Sequence, residues 1–195
     1  MAKLFAHAMA LCLVLAAGCV PQPAPPPPPP AAPSYPMVGG AVMDPRFTIF
    51  ENARKSADHR ILISVLAGSG LGRTLSSAGA YTLFAPTDMA FRLLPNGTIE
   101  ALLHPRSRPE LVRVAAYHVV PGSKTRSQIM ADLQAGGGVA SYRTQRGEML
   151  RVTMQAGRVV LVDGNGRRSS VTQADVAHAN GVLHVVDAVL LPTQS

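Results

Sequence analysis

The stretch TLFAPTDMAF, residues 82–91, decides the fold of this 195-residue chain. The apolar run at 81–85 is typical of a short buried strand. Thr87 then stands at the position of a helix N-cap, and Asp88 follows in the first turn, where a carboxylate suits the exposed backbone amides. The stretch therefore predicts a buried strand that leads directly into a helix beginning at Asp88.

The sequence on both sides of this stretch is helical in pattern. Residues 47–56 and 61–67 are short amphipathic runs, and glycines suited to ending a helix follow the second. Two more short helices are predicted around 98–103 and 109–116. The first half of the globular part is therefore expected to be mainly helical.

From Tyr117 onward the pattern predicts strands. Residues 149–154 and 158–162 are separated only by QAG, as in a hairpin. A second hairpin is predicted around Asn180-Gly181, because Asn-Gly between two apolar runs is the strongest short hairpin signal. This turn would place residue 178 opposite residue 183.

Helices followed by strands predict an α+β domain. We expect a single domain at 45–193, with short helices in the first half packed on a segregated, largely antiparallel sheet formed by the second half.

Two further motifs accompany the stretch at 82–91, namely YHVVPG at 117–122 and NGVLHVVDAVLLP at 180–192. In this order the three motifs resemble the signature of the fasciclin domain, a secreted adhesion and interaction module. The resemblance covers essentially the whole globular part, although residues 124–129 fit the family pattern only loosely. It implies a fasciclin fold and a role in binding at a surface.

The resemblance also names candidate interaction residues. In the family the Tyr-His pair lies near the centre of the domain, and segments around it are linked to receptor binding in animal members, which implies Tyr117 and His118 here. Alternatively, both side chains are buried and hydrogen-bonded, joining the helical half to the sheet. Asp88 is either a third interaction residue or only the acid of a helix start.

No metal site or cofactor is expected. The predicted hairpin places His178 and His184 on opposite faces of the ribbon, and no other histidines or cysteines have zinc-ligand spacing. The segment DGNG at 163–166 lacks the later carboxylates of a calcium loop and is predicted to be a turn.

Catalytic motifs are likewise missing from the sequence. Residues 68–72, GSGLG, match neither the Gly-x-Ser-x-Gly nucleophile turn nor the dinucleotide-binding pattern. We therefore predict that the protein is not an enzyme.

The N-terminus resembles an export signal. A basic residue, an apolar run and small residues occupy positions 1–18, and the run is too short to span a bilayer as a helix. LAAGC at 15–19 resembles a lipobox, so Cys19 is the predicted site of lipid attachment. The alternative is ordinary cleavage near Gly18. Val20 follows the cysteine where inner-membrane lipoproteins commonly carry aspartate, which favours the outer membrane in a Gram-negative host.

A proline-rich tether at 19–44 follows the signal and includes Pro25 through Pro30 without a break. Proline fixes its backbone angle and lacks an amide donor, so this run predicts an extended polyproline spacer. A docking strip for aromatic-lined grooves is the alternative.

The chain carries a net charge of +7, which favours anionic partners. Its arginines are scattered along the sequence, no long basic run is present, and no aromatic nucleic-acid motif accompanies them. Specific nucleic-acid binding is therefore not expected.

These observations predict a lipid-anchored, exported, membrane-attached binding module for cell-surface or matrix adhesion, with an envelope or extracellular protein or an anionic polysaccharide as partner. Two alternatives stay open: a carrier of an apolar small molecule, and a structural envelope protein that binds anionic polysaccharide.

Overall fold

The computed structural model describes residues 35–193. The predicted signal at 1–18, Cys19 and most of the proline-rich tether lie outside the described residues.

Seven short α-helices and nine strands make up the described part of the chain. In chain order they are β1 (Met37–Val38), β2 (Ala41–Val42), α1 (Ile49–Ala53), α2 (Arg60–Ser69), α3 (Leu71–Thr74), β3 (Tyr81–Pro86), α4 (Asp88–Arg92), α5 (Thr98–Leu103), α6 (Arg108–Tyr117), β4 (Val119–Pro121), α7 (Arg126–Ala135), β5 (Val139–Arg143), β6 (Met149–Gln155), β7 (Arg158–Val162), β8 (Arg168–His178) and β9 (Gly181–Val186). A 3₁₀ turn at Pro105–Ser107 precedes α6. None of the helices among residues 35–193 is long and apolar enough to cross a membrane.

The main sheet contains seven strands in the order β4-β3-β9-β8-β7-β6-β5. β3 and β9 run parallel, and every other neighbouring pair is antiparallel. The predicted α+β fold with a largely antiparallel sheet is confirmed. The sheet is not built from the second half alone, however, because β3, from the first half, lies beside β9. β3 is buried along nearly its whole length, which is typical of a strand covered on both faces.

The core has two parts, one on each face of the sheet. Helices α1 to α6 cover one face, where Leu62 and Leu66 pack with Leu83 of β3. Helix α7 covers the other face, where Ile129 packs with Leu150 of β6. The sheet therefore stands between two unequal helical layers.

Several predicted elements are confirmed. The helix that begins at Asp88 is α4, and Thr87 caps it by accepting a hydrogen bond from the Ala90 amide at 3.2 Å. Helices α5 and α6 correspond to the runs at 98–103 and 109–116, and β6 and β7 form the predicted hairpin.

Helix α7 was not predicted, and the expectation of strands from Tyr117 onward is wrong there. A capping box begins this helix: Thr125 accepts from the Gln128 amide, and the Gln128 side chain accepts from the Thr125 amide at 2.9 Å. Satisfying two amides at the first turn favours a helix over a strand.

The predicted pairing of the last hairpin is wrong by two residues, because the turn lies one residue earlier than expected. His178 pairs with Gly181, so the two-residue turn is Ala179-Asn180 and not Asn180-Gly181. The physical reason lies in tertiary contacts, because the Asn180 side chain binds backbone groups of other elements and Gly181 pairs with Tyr81 of β3 as well as with His178.

Candidate functional site

Tyr117 is the last residue of α6 and is buried between α6 and the sheet. Its hydroxyl donates a hydrogen bond to the backbone oxygen of Met149, at the start of β6, over 3.0 Å. Burial raises the pKa of this phenol. The side chain therefore joins the helical layer to the sheet and presents no free group to solvent.

His118 follows directly and is 2% exposed. Its Nδ1 donates to the backbone oxygen of Val114 at 2.8 Å, and its Nε2 accepts from the amide of Leu190 at 3.1 Å. The two bonds fix one neutral tautomer, because Nε2 can accept only while it carries no proton. Burial lowers the pKa of His118 to about 4, so the ring stays neutral near pH 7. The structure thus places both members of the Tyr-His pair inside the core, where they make intramolecular bonds.

Asp88 contacts a second helix as well as its own. Its Oδ1 accepts a hydrogen bond from the amide of Ile61, in the first turn of α2, at 2.9 Å, while its own amide donates to the Asp58 carbonyl at 2.7 Å. A carboxylate at the positive end of α2 satisfies an amide that the helix leaves free. Asp88 therefore joins the starts of α2 and α4, a role that its sequence position alone did not indicate.

Asn180 is a buried side chain that binds three backbone groups. Its Oδ1 accepts from the Ile49 amide at 2.9 Å, and its Nδ2 donates to the carbonyls of Leu75 and Ser77 at 2.8 and 3.0 Å. The side chain thus connects the end of β8 to α1 and to the turn before β3. This role, and not a turn preference, accounts for asparagine at position 180.

The two histidines of the last hairpin lie on opposite faces of the sheet, as predicted. Nδ1 of His178 lies 2.8 Å from Nδ2 of Asn52 on α1. His184 stacks on Phe84 and donates from Nε2 to the Lys124 carbonyl at 2.7 Å on the other face. Residues 35–193 contain no group of three or more His, Cys, Asp or Glu side chains that could hold a metal ion.

Helix α4 carries two exposed apolar side chains that the sequence analysis did not single out. Met89 is 62% exposed and Leu93, just past the helix, is 74% exposed. The inward face of the same segment supplies Ala90 and Phe91 to the core. The sequence alone does not distinguish the exposed residues of 89–93 from the buried ones, because both kinds are apolar.

An apolar groove of about 320 Å³ lies between α5 and α6. Leu94, Leu102, Val114 and Leu191 line it, with the polar rim supplied by Thr98 and Ser107. It is open to solvent along its length and lies beside the exposed patch on α4.

The three sequence motifs meet at the centre of the sheet. β3 from the first motif pairs in parallel with β9 from the third, and the Tyr-His pair lies against them at the end of α6. This arrangement of three distant motifs defines an α+β domain whose motif residues hold the fold together.

The sequence matches the model of the Fasciclin domain family over residues 57–192. It is 38% identical to Protein sll1483 of Synechocystis sp. over 80% of this chain and 79% of that protein. It is 31% identical to Immunogenic protein MPB70 of Mycobacterium bovis over 98% of this chain and 92% of the relative.

A solved structure of a FAS1 domain pair from the insect cell adhesion molecule Fasciclin I has a similar fold. Its TM-score is 0.67 at 21% sequence identity, and the match covers 75% of this chain and 51% of the insect chain. The chain belongs to the fasciclin family.

Proposed function

We propose that this protein is an exported, lipid-anchored binding module that mediates adhesion at the cell surface or to the surrounding matrix. Cys19 attaches the chain to the membrane, the proline-rich segment holds the domain away from it, and the fasciclin domain contacts the partner. In a Gram-negative host the anchor lies in the outer membrane. Two acyl chains on one cysteine are enough for stable attachment.

The observation that carries this proposal is the apolar patch on α4. Met89 and Leu93 extend into solvent from a helix whose other side is locked into the core, so their positions are fixed in advance of binding. Exposed apolar side chains on a rigid element favour a protein–protein contact, because little conformational entropy is lost when they are covered. Similarity to a domain pair from a cell adhesion molecule supports the same kind of role.

Binding is favoured over catalysis by the state of the candidate residues. His118 has both ring nitrogens engaged, and the Asp88 carboxylate accepts from a helix amide. Each of these groups satisfies backbone atoms of its own chain. A catalytic base needs a lone pair directed at a substrate, which the buried His118 does not offer.

Adhesion can be tested with the full-length protein displayed on lipid-coated beads through its own anchor. We expect beads carrying the protein to adhere to host cells or to their matrix under flow. The Met89→Ser/Leu93→Ser double variant should reduce the number of retained beads by about tenfold, since anchor residues carry most of an interface's binding energy.

The matched control is Met37→Ser/Val42→Ser, which alters two equally exposed apolar residues on the hairpin of β1 and β2. This variant should adhere like the unaltered protein. If beads that carry the unaltered protein adhere no better than beads without protein, the proposed function is refuted. Equal loss in both double variants would refute the assignment of the patch.

Lipid attachment needs a separate test. Cells grown with an alkyne-labelled fatty acid should label the unaltered protein and should not label Cys19→Ser. The Cys19→Ser protein should also leave the membrane fraction. Labelling that persists in Cys19→Ser would contradict the anchor at this residue.

The groove between α5 and α6 favours a second candidate function, carriage of an apolar small molecule. Its lining and its size of about 320 Å³ are within the range of small-ligand sites. The full-length protein should then bind a fluorescent fatty-acid analogue, and Ala101→Trp, which fills the groove, should abolish that binding. No binding by the unaltered protein would exclude this candidate.

A further inference from the structure

On the face opposite α7, the core packed against helices α1 to α6 includes no residue of β5, β6 or β7 and only Val176 of β8. Tyr142, Leu150 and Leu161 point towards α7 on the covered face. Because side chains alternate along a strand, their neighbours point to the opposite face. Four exposed arginines lie on that opposite face, and we call this surface the arginine face: Arg143, Arg151, Arg158 and Arg168.

The strand register fixes the spacing of these arginines. Arg151 pairs with Val162, and Val162 pairs with Arg168, so the two arginines share one row and lie two strands, or about 10 Å, apart. Arg158 is four residues before Val162 on β7, which is about 13 Å along the strand. Arg143 is in the adjacent row, opposite Met149. Cationic groups therefore repeat across the face at intervals of roughly 10 Å.

Carboxylates do not neutralise this face. Among residues 35–193, none of the four arginines lies within 4.0 Å of a carboxylate oxygen. The carboxylates at its margins have other partners: Glu148 binds Arg113 at 2.9 Å, and Asp187 accepts from the Ser170 amide at 2.7 Å. The face therefore keeps its positive charge.

Each end of the β7–β8 pair opens into a hollow with two arginines in its wall. The strands pair only between 160–162 and 168–170. Where they part, a cleft of about 360 Å³ is lined by Arg158 together with Arg126 of α7 and with Val159 and Val171, which belong to the α7 side of the sheet, so this cleft is not part of the arginine face. At the other end Arg167 and Arg168 line a hollow of about 230 Å³ beside Leu93. A ligand that extends along the arginine face would meet the guanidinium groups of Arg151 and Arg168 and reach the hollow beside Leu93.

We propose that the arginine face binds a linear anionic polysaccharide, with an acidic substituent held at the hollow lined by Arg167 and Arg168. This inference rests on the proposed adhesive function and names a partner class and a site for it. Guanidinium groups bind carboxylate and sulfate oxygens through paired N–H donors, and Ser141, opposite Arg151, offers a hydroxyl to sugar oxygens in the same row.

The outward positions of this face favour a polysaccharide over other polyanions. They include no aromatic side chain on which nucleobases could stack. Val139 and Met149 are exposed apolar side chains among these positions, but the positions lack the Trp, Phe and Leu side chains with which a surface enters a lipid bilayer. The remaining feature, regularly spaced cations with hydroxyls between them, suits a chain with regularly spaced acidic groups.

Binding should be measured with the full-length chain in an uncharged detergent. The probes are heparin, alginate and neutral dextran, each at several salt concentrations. We expect heparin and alginate to bind, with affinity that falls as salt rises, and dextran not to bind. Arg151→Gln/Arg168→Gln should weaken binding on the order of tenfold, since an exposed charge pair contributes up to about 1 kcal/mol.

The matched control, Arg60→Gln/Arg106→Gln, removes the same charge from exposed arginines of the helical layer and should bind within about twofold of the unaltered protein. Equal losses in the two double variants would show that binding follows net charge and would overturn the inference. Vesicles of phosphatidylglycerol are a further probe. If Arg151→Gln/Arg168→Gln loses binding to these vesicles only, and not to the polysaccharides, the inference is overturned in favour of a membrane surface.

The same variants separate this inference from the proposed function. Suppose that Arg151→Gln/Arg168→Gln keeps full polysaccharide affinity while beads that carry the unaltered protein adhere to cells. Polysaccharide binding at the arginine face is then refuted, and the adhesive function stands. If polysaccharide binding depends on these arginines but no beads adhere, the site stands and the adhesive role is refuted.

Discussion

Gly181 lies directly against the backbone of Tyr81. The two residues are partners at the start of the parallel pair formed by β3 and β9, and a methyl group at Gly181 would lie 1.8 Å from the carbonyl oxygen of Tyr81. Gly181 also has a φ of +143°, which residues with a side chain rarely adopt. The approach of the two central strands therefore requires glycine at this position.

We predict that Gly181→Ala lowers the free energy of unfolding by roughly 3 kcal/mol or more, because the backbone must shift to relieve the overlap. Gly157→Ala is the matched control, since Gly157 has a φ of +75° but no atom within 4 Å of the added methyl group. That control should cost only about 1 kcal/mol. Urea unfolding curves of the two variants test this, and equal midpoints would contradict the role of the Tyr81 contact.

Asn180→Ala should also destabilise the domain. The substitution leaves the buried Ile49 amide without its partner, and it removes one donor from the carbonyls of Leu75 and Ser77. We expect a loss of roughly 3 kcal/mol in the free energy of unfolding, from about 1–3 kcal/mol for each unsatisfied buried group with partial relaxation. Asn96→Ala, at an exposed asparagine, should unfold within about 0.5 kcal/mol of the unaltered protein. A result for Asn180→Ala as small as this control would mean that water replaces the side chain.

Asp88 offers a test of the contact between α2 and α4. Asp88→Ala removes the acceptor of the Ile61 amide and should lower the free energy of unfolding by about 1–2 kcal/mol. Asp88→Asn keeps an oxygen in the same place and should cost about half as much. The cost that remains in Asp88→Asn reports the contribution of the charge at the helix start. If adhesion of beads is lost in Asp88→Asn while unfolding is unchanged, Asp88 contacts the partner directly.

The buried histidines predict a loss of stability in acid. Burial lowers the pKa of His118 and of His178 to about 4 in the folded chain, against 6.5 for an ordinary histidine. The unfolded chain therefore binds protons that the folded chain does not, as the pH falls below 6.5. Stability is complete above this value and decreases as the pH falls through the window from about 6.5 to about 4.

Each of these two histidines should account for about 3 kcal/mol across that window, at 1.36 kcal/mol for each unit of pKa difference. Urea midpoints at pH 7.5, 5.5 and 4.5 test the loss. Ring resonances of His118 should report a neutral side chain at pH 5.5 in the folded protein. A flat stability profile between pH 7.5 and 4.5 would contradict the assigned pKa values.

Local signals in the sequence were enough where one segment determines its own structure. Thr87 and Asp88 predicted the start of α4, and the spacing of 149–162 predicted the β6–β7 hairpin, because a cap and a tight turn depend on neighbouring residues. The same kind of signal was present for α7, in Thr125 and Gln128, and a search for capping boxes would have found this helix.

Tertiary contacts decided the features that the sequence did not predict. Asn180-Gly181 has the composition of a hairpin turn, but the contacts of Asn180 with α1 and of Gly181 with β3 move the turn one residue towards the N-terminus. These partners are about a hundred residues away in the chain. The arginines of the arginine face are likewise scattered along the sequence, and it is the pairing of the strands that brings them together.

The parallel pairing of β3 with β9 has a consequence for how the chain is made. The pair at the centre of the sheet joins residues 81–86 to residues 181–186, so it closes only after almost the entire chain is available. Until then the apolar side of β3 and the helices beside it have no partner strand. Such non-local pairing slows folding and prolongs the exposure of apolar surface. The domain cannot complete its sheet until the residues of β9 have been synthesised, so β3 stays without its parallel partner through most of that synthesis.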